Sequence, residues 1–150
     1  MQLDGTIAIA APPAEVWALL LDPERLASCV PGVRDVRAVD ARTFTGAIGA
    51  AVGPLQSDFS FTTVVVRETF PDDLGVEMEG TDAMTKSTLR AEVTITLAEP
   101  EPGRTEMRYR ATITVKGRLA ILGEMILRAS AGAMIGEVAK RMRAQLEAAA

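Results

Sequence analysis

Residues 116–150 read KGRLAILGEMILRASAGAMIGEVAKRMRAQLEAAA, a proline-free stretch that decides how the rest of the chain is read. Leu119, Leu122, Ile126, Ala129, Ala133 and Gly136 recur at three- and four-residue steps, which puts them on one side of a helix. Ile121, Met125, Leu127, Met134 and Ile135 add a second apolar stripe, so the first half is oily nearly all round and needs the more cover. Glu124 and Arg128 interrupt it, four apart in the favourable acid-then-base order. From Glu137 the pattern narrows to Val138, Met142 and Leu146 among Lys140, Arg141 and Arg143, as at a helix end reaching solvent. The spacing predicts one long closing helix from Val115 to the C-terminus. A membrane span is rejected, because Arg118, Glu124 and Arg128 each cost on the order of 2.5–3.5 kcal/mol at a bilayer centre.

Outward from that helix the text changes to strands. Met107, Tyr109, Ala111, Ile113 and Val115 alternate with polar residues, and Leu89, Ala91, Val93, Ile95 and Leu97 do the same in the cleanest alternation of the chain. Val76 and Met78 alternate with Glu77 and Glu79, after which Gly80–Thr85 reads as a loop. Leu55 to Thr69 is long enough for one extended strand carrying Phe59 and Phe61. Phe44, Gly46, Ile48, Ala50 and Val52 share one face of another, and Gly53-Pro54 turns between the two. Val33, Val36 and Val39 fit a less regular strand. At the start, Leu3, Gly5, Ile7 and Ile9 form a half-buried strand. Two short helices follow it, one opened by Pro13 with Val16, Trp17, Leu19 and Leu20, one capped by Asp22 with Pro23 at its first position. Strands joined by short turns are antiparallel neighbours, so the fold class is α+β, one meandering sheet with the long helix as its cover.

A chain of 150 residues is expected to form a single domain over residues 1–150. The net charge of −4 argues against nucleic acid and against generic affinity for anionic surfaces, which need clustered Lys and Arg. With no histidine and one cysteine, no metal site is expected, and the commonest general base is missing. Cys29 reads as a small buried hydrophobe. The N-terminus lacks a secretion signal, which points to the cytoplasm.

These residues resemble a known family. The element order is similar to the helix-grip fold of the START-like (SRPBCC; polyketide cyclase, lipid-transfer and Bet v 1-like) superfamily, in which a curved seven-stranded antiparallel sheet wraps a long C-terminal helix and leaves a cavity. Within it the chain looks like the CoxG-like family, the G component of carbon monoxide dehydrogenase. The resemblance spans essentially the whole chain. It is carried by Leu3-Asp4-Gly5, Ala11-Pro12 with Val16-Trp17, Asp22-Pro23-Glu24, Cys29-Val30-Pro31-Gly32, Val52-Gly53-Pro54-Leu55 and Lys116-Gly117 with Leu119, Leu122 and Gly123. Val33 stands where that family often has a second cysteine. The resemblance implies a non-enzymatic accessory protein of a molybdenum-type CO dehydrogenase-like enzyme. Such a protein takes part in recruitment or electron transfer at the inner membrane and holds a quinone- or lipid-like molecule, with no covalently bound cofactor. Many members add a C-terminal linker and hydrophobic anchor; this sequence ends at Ala150, so membrane contact is expected to be peripheral.

The inward candidates for an apolar cavity are Phe44, Ile48, Val52, Phe59, Phe61, Met78, Leu89, Val93, Met107, Tyr109, Ile113, Ile121, Leu122, Met125 and Ile126, with Tyr109 the one hydroxyl among them. With aromatics at 4%, a face of Ala, Gly, Val and Met fills a concave sheet poorly, and flexible Met side chains adapt to varied guests. The apolar turns at Val30-Pro31 and Gly53-Pro54-Leu55 are candidates for the cavity mouth or for a partner or membrane contact. Ile121 and Met125 are expected to face the cavity or its mouth. Glu77, Glu79 and Asp82 read as a solvated face, and Arg108 and Arg110 as partners of acids on adjacent strands. The binding reading requires at least roughly 300 Å³ of connected apolar volume, the low end for small-molecule sites. Two alternatives stand beside it: a cyclase- or dehydratase-like enzyme of the same fold, and an interaction subunit with a filled core.

Overall fold

In the computed structural model, which describes residues 1–147, the alternating segments pair into one seven-stranded sheet. The elements run β1 (Gln2–Ile9), α1 (Pro13–Leu20), α2 (Pro23–Cys29), β2 (Val33–Ala38), β3 (Thr43–Val52), β4 (Leu55–Thr69), β5 (Asp73–Asp82), β6 (Ser87–Ala98), β7 (Thr105–Lys116), a 3-10 turn Arg118–Leu122, and α3 (Glu124–Glu147). The sheet order is β1-β7-β6-β5-β4-β3-β2, antiparallel throughout. Strand 1 therefore pairs with the last strand, and α1 and α2 carry the chain to the opposite edge. The strand registers shift between Arg34 and Arg37 and between Val65 and Arg67, and such bulges increase local twist and bend the sheet. Asp35, in the first of them, takes the left-handed conformation (φ 57°) that Asp tolerates better than most residues.

The short helices start as their sequences dictate. Asp22 caps α2 by accepting from the backbone N–H groups of Glu24 (3.1 Å) and Arg25 (3.3 Å), with Pro23 at the first helical position. Val16, Trp17, Leu19 and Leu20 of α1 join Ile7, Ile9, Leu74, Leu97 and Met107 in the core, and Trp17 meets Phe70 edge-on at 5.7 Å. Cys29 is fully buried there, and burial pushes its thiol pKa up, as expected of an inert thiol.

The closing helix departs from the sequence expectation in two ways. It is not continuous from Val115: β7 runs on to Lys116, Arg118–Leu122 forms a separate 3-10 turn, and α3 begins at Glu124. The cause is a pair of glycines, Gly117 (φ 93°) and Gly123 (φ 90°), in conformations that side chains rarely adopt. Gly117 is also sterically fixed, since a Cβ there would stand 2.1 Å from the Lys86 carbonyl oxygen. Residues 148–150 of the expected helix lie outside the described residues.

Burial along α3 is also the reverse of the expectation. Its fully buried residues are Ala139, Met142 and Leu146, all in the second half, whereas the oilier first half has none. The second half is tied down at several points. Gln145 Nε2 donates to Arg25 O (3.4 Å), Ser28 Oγ and Cys29 Sγ (3.4 Å); Arg143 Nε donates to Ala8 O (2.9 Å); and the Ala10 N–H donates to Glu147 Oε1 (3.4 Å). The core thus sits at one end of the sheet, and the first half of α3 extends beyond it.

Two polar assignments are corrected. The loop expected at Gly80–Thr85 starts later, because β5 continues to Asp82. Asp82 shares the inward parity of Leu74, Val76 and Met78, so it is buried (2% exposed) and not part of a solvated face with Glu79. Arg108 pairs with Glu106 of its own strand (3.0 Å) instead of an acid on a neighbouring one, and Arg110 forms no ion pair among the described residues.

Candidate functional site

The inner face of the sheet and the first half of α3 enclose a small void lined by Met1, Val52, Phe59, Leu89, Ile113, Val115, Leu119, Leu127 and Ala131. It is brought together by register. Leu89 pairs with Val115 across β6–β7, and Ile113 lies in the same inward row of β7. Met1 is held beside β7 by its amino group, which donates to Ile113 O at 2.7 Å. Phe59 projects from β4, Val52 ends β3, and Leu127 and Ala131, four apart, close the space from α3.

Every side chain in that lining is apolar, and its volume is about 100 Å³. This falls short of the roughly 300 Å³ at the low end of small-molecule sites, so no preformed cavity of that size is present there. A groove of about 270 Å³ adjoins the void through Met1, Ile113, Val115 and Leu127 and is also lined by Thr114, Ala120 and Glu124, so it is not wholly apolar; two larger grooves, about 670 Å³ and about 480 Å³, lie on the outer face among polar residues such as Thr45, Thr62 and Glu79 in one and Thr94, Arg108 and Arg110 in the other. The threonines and charges of these two outer grooves are those of a solvated sheet face, and neither shares a residue with the apolar lining.

Of the candidate residues, Val52, Phe59, Leu89 and Ile113 meet at the void. Leu122 and Ile126 stand beside it at the β3–β4 tip, where a Cβ on Gly53 would lie 3.0 Å from Ile126 Cγ2 and 3.8 Å from Leu122 Cδ1. Phe44, Ile48, Met78 and Val93 are half-buried on the same inner face, and Phe61 is buried edge-on to Phe44 at 6.2 Å. Met107 and Tyr109 are placed elsewhere. Met107 is buried in the core, and the Tyr109 ring packs against that core, lying across Gly5 with its hydroxyl 2.5 Å from where a Cβ would stand. Ile121 and Met125 are 83% and 85% exposed, so they do not line the void; the break at Gly123 turns the start of α3 so that both face solvent. At the mouth, Val30, Pro31 and Leu55 are half-buried and Gly53 and Pro54 exposed, and the Gly49 N–H donates to Gly32 O (3.0 Å), strapping the Val30-Pro31 turn to β3.

Met1, Val115, Leu119, Leu127 and Ala131 are lining residues that the sequence did not single out as site candidates. Val115 and Leu127 carried a signal, the first in the β7 alternation and the second in the helix's second stripe; Met1 carried none.

A buried polar cluster pins the 3-10 turn over the void. The Leu119 N–H donates to Ser87 Oγ (3.1 Å), the Ser87 and Thr85 hydroxyls are 2.9 Å apart, and Thr85 Oγ1 donates to Asp82 Oδ2 (2.9 Å). Asp82 also accepts from the backbone N–H groups of Met84 (3.0 Å) and Asp58 (3.3 Å). Burial alone would push its carboxyl up, but these donors outweigh burial and hold it below the ordinary carboxylate range. Asp82 is therefore committed to structure and does not open into the void. Among the described residues no cluster of three or more His, Cys, Asp or Glu is arranged to hold a metal, and no helix is long and apolar enough to cross a membrane.

The sequence profile of the CoxG family, the G component of carbon monoxide dehydrogenase, matches residues 5–147. No curated protein is significantly similar in sequence. Solved structures share the fold. A conserved protein from Geobacillus kaustophilus superposes with a TM-score of 0.91 at 19% identity, covering 98% of this chain and 95% of that one. A START superfamily protein from Mycobacterium smegmatis superposes at 0.73 with 14% identity, covering 99% of each chain. The Zhui aromatase/cyclase from Streptomyces sp. R1128 superposes at 0.72 with 12% identity, covering 98% of this chain and 93% of that one.

Proposed function

The chain belongs to the carbon monoxide dehydrogenase CoxG family, and from that premise we propose that it is an accessory module that holds an apolar small molecule of quinone or lipid type for a CO dehydrogenase-like enzyme at the membrane. The observation that carries the reading is the uneven burial of α3. Its second half is packed and hydrogen-bonded, while the oilier first half has no fully buried residue and covers a void lined only by apolar side chains. Apolar surface left in that state gains by covering an apolar guest.

The void as it stands, about 100 Å³, fails the roughly 300 Å³ that the binding reading requires, so that reading now rests on the first half of α3 moving off the sheet while the 3-10 turn stays pinned through Leu119 to Ser87. Gly123 (φ 90°), the break between the pinned 3-10 turn and α3, is where that movement would begin. The aromatase/cyclase neighbour keeps an enzymatic reading in view. Against it stands the lining, which offers no acid or base, and Asp82, already saturated with donors. The small volume favours instead the reading as an interaction subunit with a filled core.

Calorimetric titration with a short-chain prenylated naphthoquinone separates these readings. Saturable binding near one equivalent is expected, reduced at least tenfold by Ala131→Phe, which fills the void from α3. A flat titration for the unmodified protein would leave the interaction subunit as the better account.

A further inference from the structure

The strand ladder leaves a main-chain donor and acceptor over where the groove of about 270 Å³ meets the void. Ile113 exchanges both of its bonds with Met1: the Met1 amino group donates to Ile113 O (2.7 Å), and the Ile113 N–H donates to Met1 O (2.8 Å). Alternate residues of an antiparallel strand present their backbone groups to the same neighbour, so Ala111, Ile113 and Val115 turn theirs toward the β1 side, and Thr112, Thr114 and Lys116 toward β6. Ala111 and Ile113 have Leu3 and Met1 opposite them there, whereas Val115 has the groove. Among the described residues neither the N–H nor the C=O of Val115 has a partner. Val115 is half-buried, and it lines void and groove alike, together with Met1, Ile113 and Leu127. One trough thus runs from a wholly apolar floor to a rim that carries an unpaired main-chain donor. An unpaired N–H beside apolar surface costs about as much as a lost hydrogen bond, and an incoming acceptor recovers that cost.

We propose that the Val115 N–H is the head-group subsite of this trough, donating to a carbonyl oxygen on an uncharged amphiphile whose tail enters the void. The proposal deepens the ligand reading above and rests on it. A donor fixed by the ladder beside apolar space selects an acceptor that brings no donor of its own and little hydration to shed, which describes a quinone or ester carbonyl and not a hydroxyl or a carboxylate. Glu124 on the groove wall is paired with Arg128 at 3.5 Å, so it offers no free charge to a cationic head and repels an anionic one. Leu127 belongs to groove and void, so movement of the first half of α3 widens both parts of the trough, while Val115 stays fixed in β7.

Amide exchange and amide proton shifts of the full chain test this. In the free protein the Val115 amide is expected to exchange roughly tenfold or more faster than those of Ile113 and Thr114. A short-chain prenylated naphthoquinone should slow that exchange and move the Val115 proton downfield. Methyl dodecanoate carries an ester carbonyl on a lipid tail, and whichever of the two compounds moves the amide names the source of the acceptor. The same prenyl chain on naphthalene, which lacks the carbonyls, should bind about three- to tenfold more weakly than the quinone. Val115→Pro removes the N–H and should weaken quinone binding by a similar factor with little change in melting temperature, because no ladder bond is lost; Thr114→Pro, whose N–H serves β6, should lower the melting temperature clearly. A Val115 amide already protected in the free protein overturns the proposal. Quinone binding that leaves this amide unmoved and does not distinguish the carbonyl-free analogue overturns it too and leaves the ligand reading standing, whereas flat titrations with every probe would remove both.

Discussion

Met142→Ala is expected to lower the unfolding free energy by about 2–5 kcal/mol, whereas Met125→Glu, on the same helix, should change it by no more than about 0.5 kcal/mol. Met142 is 1% exposed and packs with Ala139 and Leu146 into the core beside α1 and α2, so truncation removes buried surface and leaves a cavity that α3, tied by Arg143, Gln145 and Glu147, relaxes into poorly. Met125 is 85% exposed, and a carboxylate there keeps its hydration. At about 2–4 °C per kcal/mol for a chain of this size, thermal unfolding resolves the two easily. A loss of several kcal/mol for Met125→Glu would mean that the first half of α3 is core and that its exposed start is covered in solution.

Asp82→Asn is expected to cost about 1–3 kcal/mol near neutral pH. The Asp82 carboxylate collects the Thr85 hydroxyl and the Met84 and Asp58 N–H groups, and an amide offers one acceptor oxygen and turns an N–H₂ toward donors. The loss passes through Thr85 and Ser87 to Leu119, loosening the 3-10 turn. The pH dependence follows from the sign of the shift. Because the folded carboxyl is held below its ordinary value, its contribution is fully present above about pH 4, the usual carboxylate range, and is lost as pH falls toward the lowered folded value. Urea unfolding across that acid window should show a steeper fall for the native protein than for Asp82→Asn. Parallel curves would show that Asp82 does not stabilise the fold in its charged form.

Most of the architecture was legible because each element carried its own periodic signal. Leu55–Thr69 emerged as one strand, and Pro13, Asp22 and Pro23 marked the two short helices, since these depend on local backbone chemistry. The closing helix misled because residues on both sides of Gly123 are apolar and helix-spaced, and spacing does not reveal a glycine's φ. The reversal of burial along α3 was not legible either. Which half is covered depends on where α1 and α2 pack, a tertiary fact absent from the helix's own sequence. Asp82 was misplaced because neighbouring acids were read as one face, although strand alternation separates it from Glu79. For the site, Val52, Phe59, Leu89 and Ile113 follow from alternation, whereas Met1 required the register between β1 and β7.

Under the proposed function one helix has two halves, the second holding the fold and the first covering an apolar guest. Hydrogen exchange along α3, with and without a saturating short-chain prenylated naphthoquinone, tests this most directly. The amides of residues 124–135 are expected to exchange well ahead of those of residues 139–146 in the free protein, and to slow markedly on quinone addition while the second half stays unchanged. Uniform protection along the helix, indifferent to the quinone, would contradict it.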